Sequence, residues 1–291
     1  MAFTTPFGQF RHAGAPAAAA ALILALSACT APSSATSTPS GYGSGYPTAH
    51  VHGITVDHSG KVLLATHEGL FDVSAKPAVK IGPTNDLMGF TPAAGQSVFY
   101  ASGHPGKGSD LPNPVGLIRS DDGGKTWEQL SRQGESDFHA LTVTRSGVVA
   151  FDGSLLTSPD GKHWTQTTAG FEPAVLAGNP GSDTILATTP EGLQRSTDGG
   201  KTWQKNTAAP VIQFAAFATA ADAVGIEPGG TVHASADGGA TWKRTGSVDG
   251  QVQAMTAGKG ADGAIRIWVA TETGVVISND GGTTFTPYKP A

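Results

Sequence analysis

Apolar and polar positions alternate along this chain in short runs, and the runs come in groups separated by turns rich in Gly, Asp and Pro. Val62-Leu-Leu-Ala-Thr66, Val98-Phe-Tyr-Ala-Ser102, Val148-Val-Ala-Phe151, Thr184-Ile-Leu-Ala-Thr188 and Ile267-Trp-Val-Ala-Thr271 are rich in β-branched and aromatic residues. Runs of that length and composition, bounded by turn signals, predict strands and not helices. Most lead through a short polar turn with Gly into a second apolar run, as in His67-Glu-Gly-Leu-Phe71 and Glu272-Thr-Gly-Val-Val276. In the second unit a longer insertion intervenes before Val115-Gly-Leu-Ile118, and a worn copy of the pattern lies between Ala223 and Val232. Each unit also opens with a short phrase that predicts an innermost strand. These phrases are His50-Val-His52-Gly-Ile54, Asp86-Leu-Met88-Gly-Phe90, Asp137-Phe-His139-Ala-Leu141, a loose copy near Ala174-Val-Leu176, Gln213-Phe-Ala215-Ala-Phe217 and Gln251-Val-Gln253-Ala-Met255.

The last five units end on a fourth phrase. It reads Ser120-Asp-Asp122-Gly-Gly124-Lys-Thr126-Trp127, then Ser158-Pro-Asp160-Gly-Lys-His-Trp164, one residue shorter. It returns with its aspartate at Asp198, Asp237 and Asp280, the last copy carrying Phe285 in place of Trp. Repetition at about 40 residues is the length of a four-stranded propeller blade. The expected fold is all-β, a six-bladed β-propeller over residues 49–291, with seven blades as the alternative. Asp-Gly between strand runs is a hairpin signal, because Gly takes positive φ without a Cβ clash. The Asp carboxylate can accept N–H bonds inside its own turn. The five box aspartates are therefore expected to be structural, since five equivalent turns cannot converge on one active site.

The S-x-D-x-G-x-T-W phrase at this spacing resembles the BNR or Asp-box repeat found in sialidases, sortilin-type receptors and photosystem assembly factors. With the His-x-His-Gly opening and the Ser-Gly-His-Pro segment, the chain resembles bacterial Asp-box lipoproteins labelled glycosyl hydrolase or exo-sialidase-like. The resemblance implies a glycoside hydrolase, or, by fold analogy, an assembly or interaction scaffold. Sialidases bind a carboxylate with three arginines and use a Tyr–Glu nucleophile pair. Here Arg119 and Arg195 each precede a box, Tyr42 and Tyr46 lie before the propeller, and the Arg-Ile-Pro opening is missing. Should the protein be a glycosidase, Glu68, Asp86, Asp110 and Asp137 are the carboxylates to test, because two such groups flank the scissile bond.

The N-terminus changes the compartment. Arg11, an apolar run from Ala17 to Ala28 and small residues before Cys29 describe a secretory signal peptide over residues 1–28, too short for a membrane span. Leu26-Ser27-Ala28-Cys29 resembles a bacterial lipobox, which implies lipidation of Cys29 and an extracytoplasmic, membrane-anchored protein; the alternative is an ordinary signal peptide. Residues 29–48, without a charge, are expected to be a flexible tether. Cys29 is the sole cysteine, so no internal disulfide can form. Loss of Arg11 takes the formal charge from −5 to −6, and the scattered Lys and Arg argue against nucleic-acid binding.

Histidine is where the units cease to be alike. The first and third positions of the opening phrase share one side of a strand. In the first three units those positions carry His50 and His52, Asp86 and Met88, then Asp137 and His139. His67, and His104 before a long insertion, fall in the loops expected at the same end of their blades, whereas the boxes fall at the opposite end. His50, His52, His67, Met88, His104 and His139 are thus expected around one mouth of the central channel. Imidazoles with a thioether suit a transition metal, copper or zinc, with Asp86 or Asp137 orienting a ring. A pocket for an organic ligand or glycan is the alternative, and a protein partner remains open. His58, His163 and His233 read as surface residues in or beside turns.

Overall fold

The computed structural model describes Pro47, residues 49–94 and residues 97–290. The expected signal peptide, Cys29 and the expected tether lie outside the described residues, except for Pro47, which is buried. No described residue is helical. The chain forms six antiparallel sheets of four consecutive strands each, ordered outward from the innermost strand. The innermost strands are Val51–Val56, Asp86–Pro92, Ala140–Thr144, Val175–Ala177, Phe214–Phe217 and Val252–Lys259. Each touches the next around a closed ring, the sixth against the first. The protein is a six-bladed propeller, so the seven-bladed alternative is set aside.

Apolar burial lies between blades. Leu63, Ala65 and Leu70 of blade one meet Leu87, Phe99, Ala101 and Ile118 of blade two in a single cluster with Trp127 against it. The boxes complete these junctions as well as closing their own hairpins. Each fills the turn between the third and fourth strands, and Asp198 is representative: its carboxylate accepts from Thr202 N at 2.9 Å, Thr202 Oγ1 at 2.5 Å and Ser196 Oγ at 2.8 Å. Asp160, in the short box, is satisfied instead by Lys162 N and by the backbone and ring of His163. The box then leans on the preceding blade. Gly124 has φ +87°, and a Cβ there would fall 2.3 Å from Leu70 Cδ2 of blade one. Gly161, Gly200, Gly239 and Gly282 face Leu117, Val149, Leu186 and Val232 of their preceding blades in the same way.

Blade one has no box, so the junction from blade six to blade one closes differently. Among the described residues, no sheet is shared between the two ends of the propeller. Instead Val51, Ile54, Val62 and Leu64 pack on Ala254, Ala270 and Val275, with Trp268 and Tyr288 against them. Tyr288 donates to Ser74 Oγ at 3.1 Å, and Val51 N donates to Gln253 Oε1 at 3.2 Å.

Candidate metal centre at one mouth of the channel

The innermost strands enclose a channel of about 500 Å³, lined by His52, Met88, His139 and Gln253 among others and, toward the box face, by Lys259 and Arg266. Three local irregularities set the side chains at the mouth. Pairing of the first two strands skips one residue between Val51 and Gly53, between Leu87 and Gly89, and between Val252 and Ala254. The skipped residues are His52, Met88 and Gln253. A bulge leaves its extra residue out of the ladder and re-aims the side chain. Close approach of the inner strands demands small residues next to the bulges: a Cβ on Gly89 would fall 2.0 Å from Phe138 O.

His52 meets His67, which sits in the loop joining the second and third strands of blade one. His52 Nε2 lies 3.3 Å from His67 Nδ1 and 3.2 Å from His67 Nε2. Asp86, from the start of blade two, closes the group: its Oδ2 is 2.9 Å from His67 Nδ1 and its Oδ1 is 3.9 Å from His52 Nε2. One donor atom from each of His52, His67 and Asp86 falls within 4.8 Å of the others, the geometry of a three-ligand cation seat. Burial pushes the His52 imidazolium down to about 4, reinforced by the neighbouring His67 and His50 rings and opposed by Asp86. The ring is therefore neutral at pH 7 and keeps a lone pair for a ligand. Asp86 Oδ1 is buried and, among the described residues, without a hydrogen-bond partner. His50 is exposed and places its ring centroid 4.9 Å from that of His52.

His104 and His139 do not join this group. They meet on Asp137 instead, with His104 Nε2 at 3.1 Å and His139 Nε2 at 2.6 Å from the same Oδ2. Phe138, fully buried between them in sequence, donates its N–H to Ser102 Oγ of blade two and fixes Asp137 and His139 there. The single histidine cluster expected from sequence is thus two groups on successive blade junctions. Met88 lines the channel, and Asp86, expected to orient a ring or to serve as a catalytic carboxylate, offers a ligand atom of its own. Glu68 and Asp110 are exposed, and Asp86 and Asp137 contact histidines. His58 and His163 are exposed, as expected. His233 is not: it lies in the strand Thr231–Ser235, is 9% exposed, and pairs with Glu227 at 2.6 Å. A register shift at Val232/His233 accompanies its inward placement.

Residues 118–129 and 194–205 match the BNR/Asp-box repeat. The chain carries BNR/Asp-box repeats. No curated protein sequence matches it. Among solved structures it is similar to the GH74 xyloglucanase of Xanthomonas campestris (18% identity, TM-score 0.58), with 83% of this chain covered and 38% of that one. The GH74 enzyme of Niastella koreensis is similar at 18% identity and TM-score 0.56, over 83% and 37% of the two chains. The chain therefore spans less than two fifths of these glycoside hydrolases. Virginiamycin B lyase from Staphylococcus aureus is similar at 16% identity and TM-score 0.53, over 83% of this chain and 85% of that one. At these identities the likeness is one of fold.

Proposed function

We propose that this Asp-box propeller is an extracytoplasmic metal-binding protein, held to a membrane through Cys29, whose His52, His67 and Asp86 bind a zinc ion facing the channel. One observation carries the reading. A tetrahedral zinc with bonds of about 2.0–2.1 Å to nitrogen sets its ligand atoms about 3.3 Å apart, and His52 Nε2 stands 3.2 Å from His67 Nε2. The orphaned Asp86 Oδ1 supplies a third donor. Two imidazoles and a carboxylate without a thioether favour zinc over copper(I), which prefers soft sulfur. Three protein ligands leave a coordination position for water or a small ligand from the channel, as in zinc sites that do chemistry.

The test is metal analysis of purified protein after zinc loading and desalting. Wild type is expected to keep at least one equivalent, and His67→Ala and Asp86→Asn to keep one equivalent less. Wild type that keeps none, or the same amount as His67→Ala, overturns the reading. A panel of fluorogenic glycosides tests the glycosidase alternative suggested by the GH74 likeness. Turnover lost on Glu68→Gln but indifferent to zinc would favour it.

A further inference from the structure

We infer that a second metal ion is held by His104, Asp137 and His139, one blade further round the ring. This extends the metal-binding reading to a seat that shares no residue with the first. The His–Asp pair of the first group recurs across the next junction. In blade one, His67 follows the second strand and reaches Asp86, the opening residue of blade two, at 2.9 Å. In blade two, His104 ends the second strand and reaches Asp137, the equivalent residue of blade three, at 3.1 Å. The third residue differs between the groups: His52 belongs to blade one, with Met88 at its place in blade two, whereas His139 comes from blade three beside Asp137. The two groups adjoin, because Asp86 and His104 are cross-strand partners.

The polar accounting at Asp137 also calls for a cation. His104 Nδ1 lies 2.7 Å from Asn113 Oδ1. An amide oxygen only accepts, so with Asn113 in this orientation the His104 proton sits on Nδ1. His104 Nε2 is thereby the ring nitrogen turned to Asp137 Oδ2, 3.1 Å away, and the one placed to bind an ion there. Among the described residues Asp137 Oδ1 is buried and unpartnered, as Asp86 Oδ1 is in the first group. Such orphaned oxygens call for an explanation, and a bound ion is one that serves both groups. The insertion after His104 is anchored, with Gly106 N donating to the buried Asn85 Oδ1 at 3.2 Å and Val115 N to Gly103 O at 2.9 Å. His139 is 62% exposed, and the three donors are more widely spread than those of the first group, so the His104 and His139 rings would close on the ion as it binds.

Zinc stoichiometry after loading and desalting decides the matter, with circular dichroism melting to establish that each variant is folded. Wild type is expected to hold two equivalents, His139→Ala and Asp137→Asn one each, His67→Ala one, and the His67→Ala/His139→Ala double variant none. One equivalent in wild type that survives His139→Ala overturns the second seat and leaves the first standing. One equivalent lost on His139→Ala but kept in His67→Ala overturns the first and leaves the second. Wild type with no zinc overturns both.

Discussion

A box aspartate shows how much one side chain does in this fold. Asp198 accepts from a backbone N–H and two hydroxyls within its own turn, and the turn it shapes carries Gly200 against Val149 of the preceding blade. Hydrogen bonds to a charged acceptor stabilise more than neutral ones, and exposure reduces the gain, so Asp198→Ala is expected to cost about 1–2 kcal/mol. A urea midpoint that falls at unchanged slope measures this loss. The same bonds favour the ionised carboxylate. The Thr126 hydroxyl, followed by its N–H, holds Asp122 at about 2, and Thr284 does the same for Asp280. These folded-state values lie below the ordinary 3.8, so their stabilisation is complete above it and drains as pH falls toward about 2. The melting temperature of wild type should therefore drop between pH 4 and pH 2. An Asp122→Asn/Asp280→Asn variant should be less stable at neutral pH and show a shallower drop.

At the scale of strands, the bulges decide where chemistry can occur. His52, Met88 and Gln253 reach the channel mouth because the inner strands of blades one, two and six each skip a residue. Gly89 lets that geometry coexist with close packing on blade three. Gly89→Ala would drive a Cβ into Phe138 O, and overpacking of this kind costs about 1–3 kcal/mol. It should also part Asp86 from its neighbours, so the variant is expected to melt earlier and to retain less zinc than wild type. The blades and the box turns were legible in sequence because strand alternation, Asp-Gly turns and a repeat of about 40 residues are local signals. The partition of the histidines was not. Whether His104 meets His67 or Asp137 depends on contacts between blades, and spacing along one chain carries no such register. Gly53 and Gly89 inside apolar runs were the available hint, since an isolated strand glycine often marks a bulge or a close approach. Nor did the boxes reveal in sequence that they lean on the preceding blade, and the burial of His233 accompanies a bulge at Thr245 of the next strand that no residue type announces.

Across the whole molecule, five junctions carry a box and one does not, and the odd junction is where the two ends of the ring meet. Closure there rests on side-chain packing and on Tyr288, whose hydroxyl donates to Ser74. Tyr288→Phe should lose about 1 kcal/mol for that bond, and Tyr288→Ala a further loss for the ring; amide exchange should rise first in Val51–Val56 and Val252–Lys259. The proposed His67 seat bridges blade one to blade two, the junction next to the unboxed closure, so an ion there would tie the ring beside it. An ion that binds only the folded ring stabilises it by mass action, by about 2.7 kcal/mol per seat at one hundred times its Kd. For a domain of this size that corresponds to a rise in melting temperature of about 5–10 °C. Zinc should therefore raise the melting temperature of wild type and EDTA should reverse the rise. His67→Ala should remove part of it and the His67→Ala/His139→Ala variant nearly all. A rise undiminished in the double variant would mean that zinc stabilises the propeller from somewhere other than this mouth.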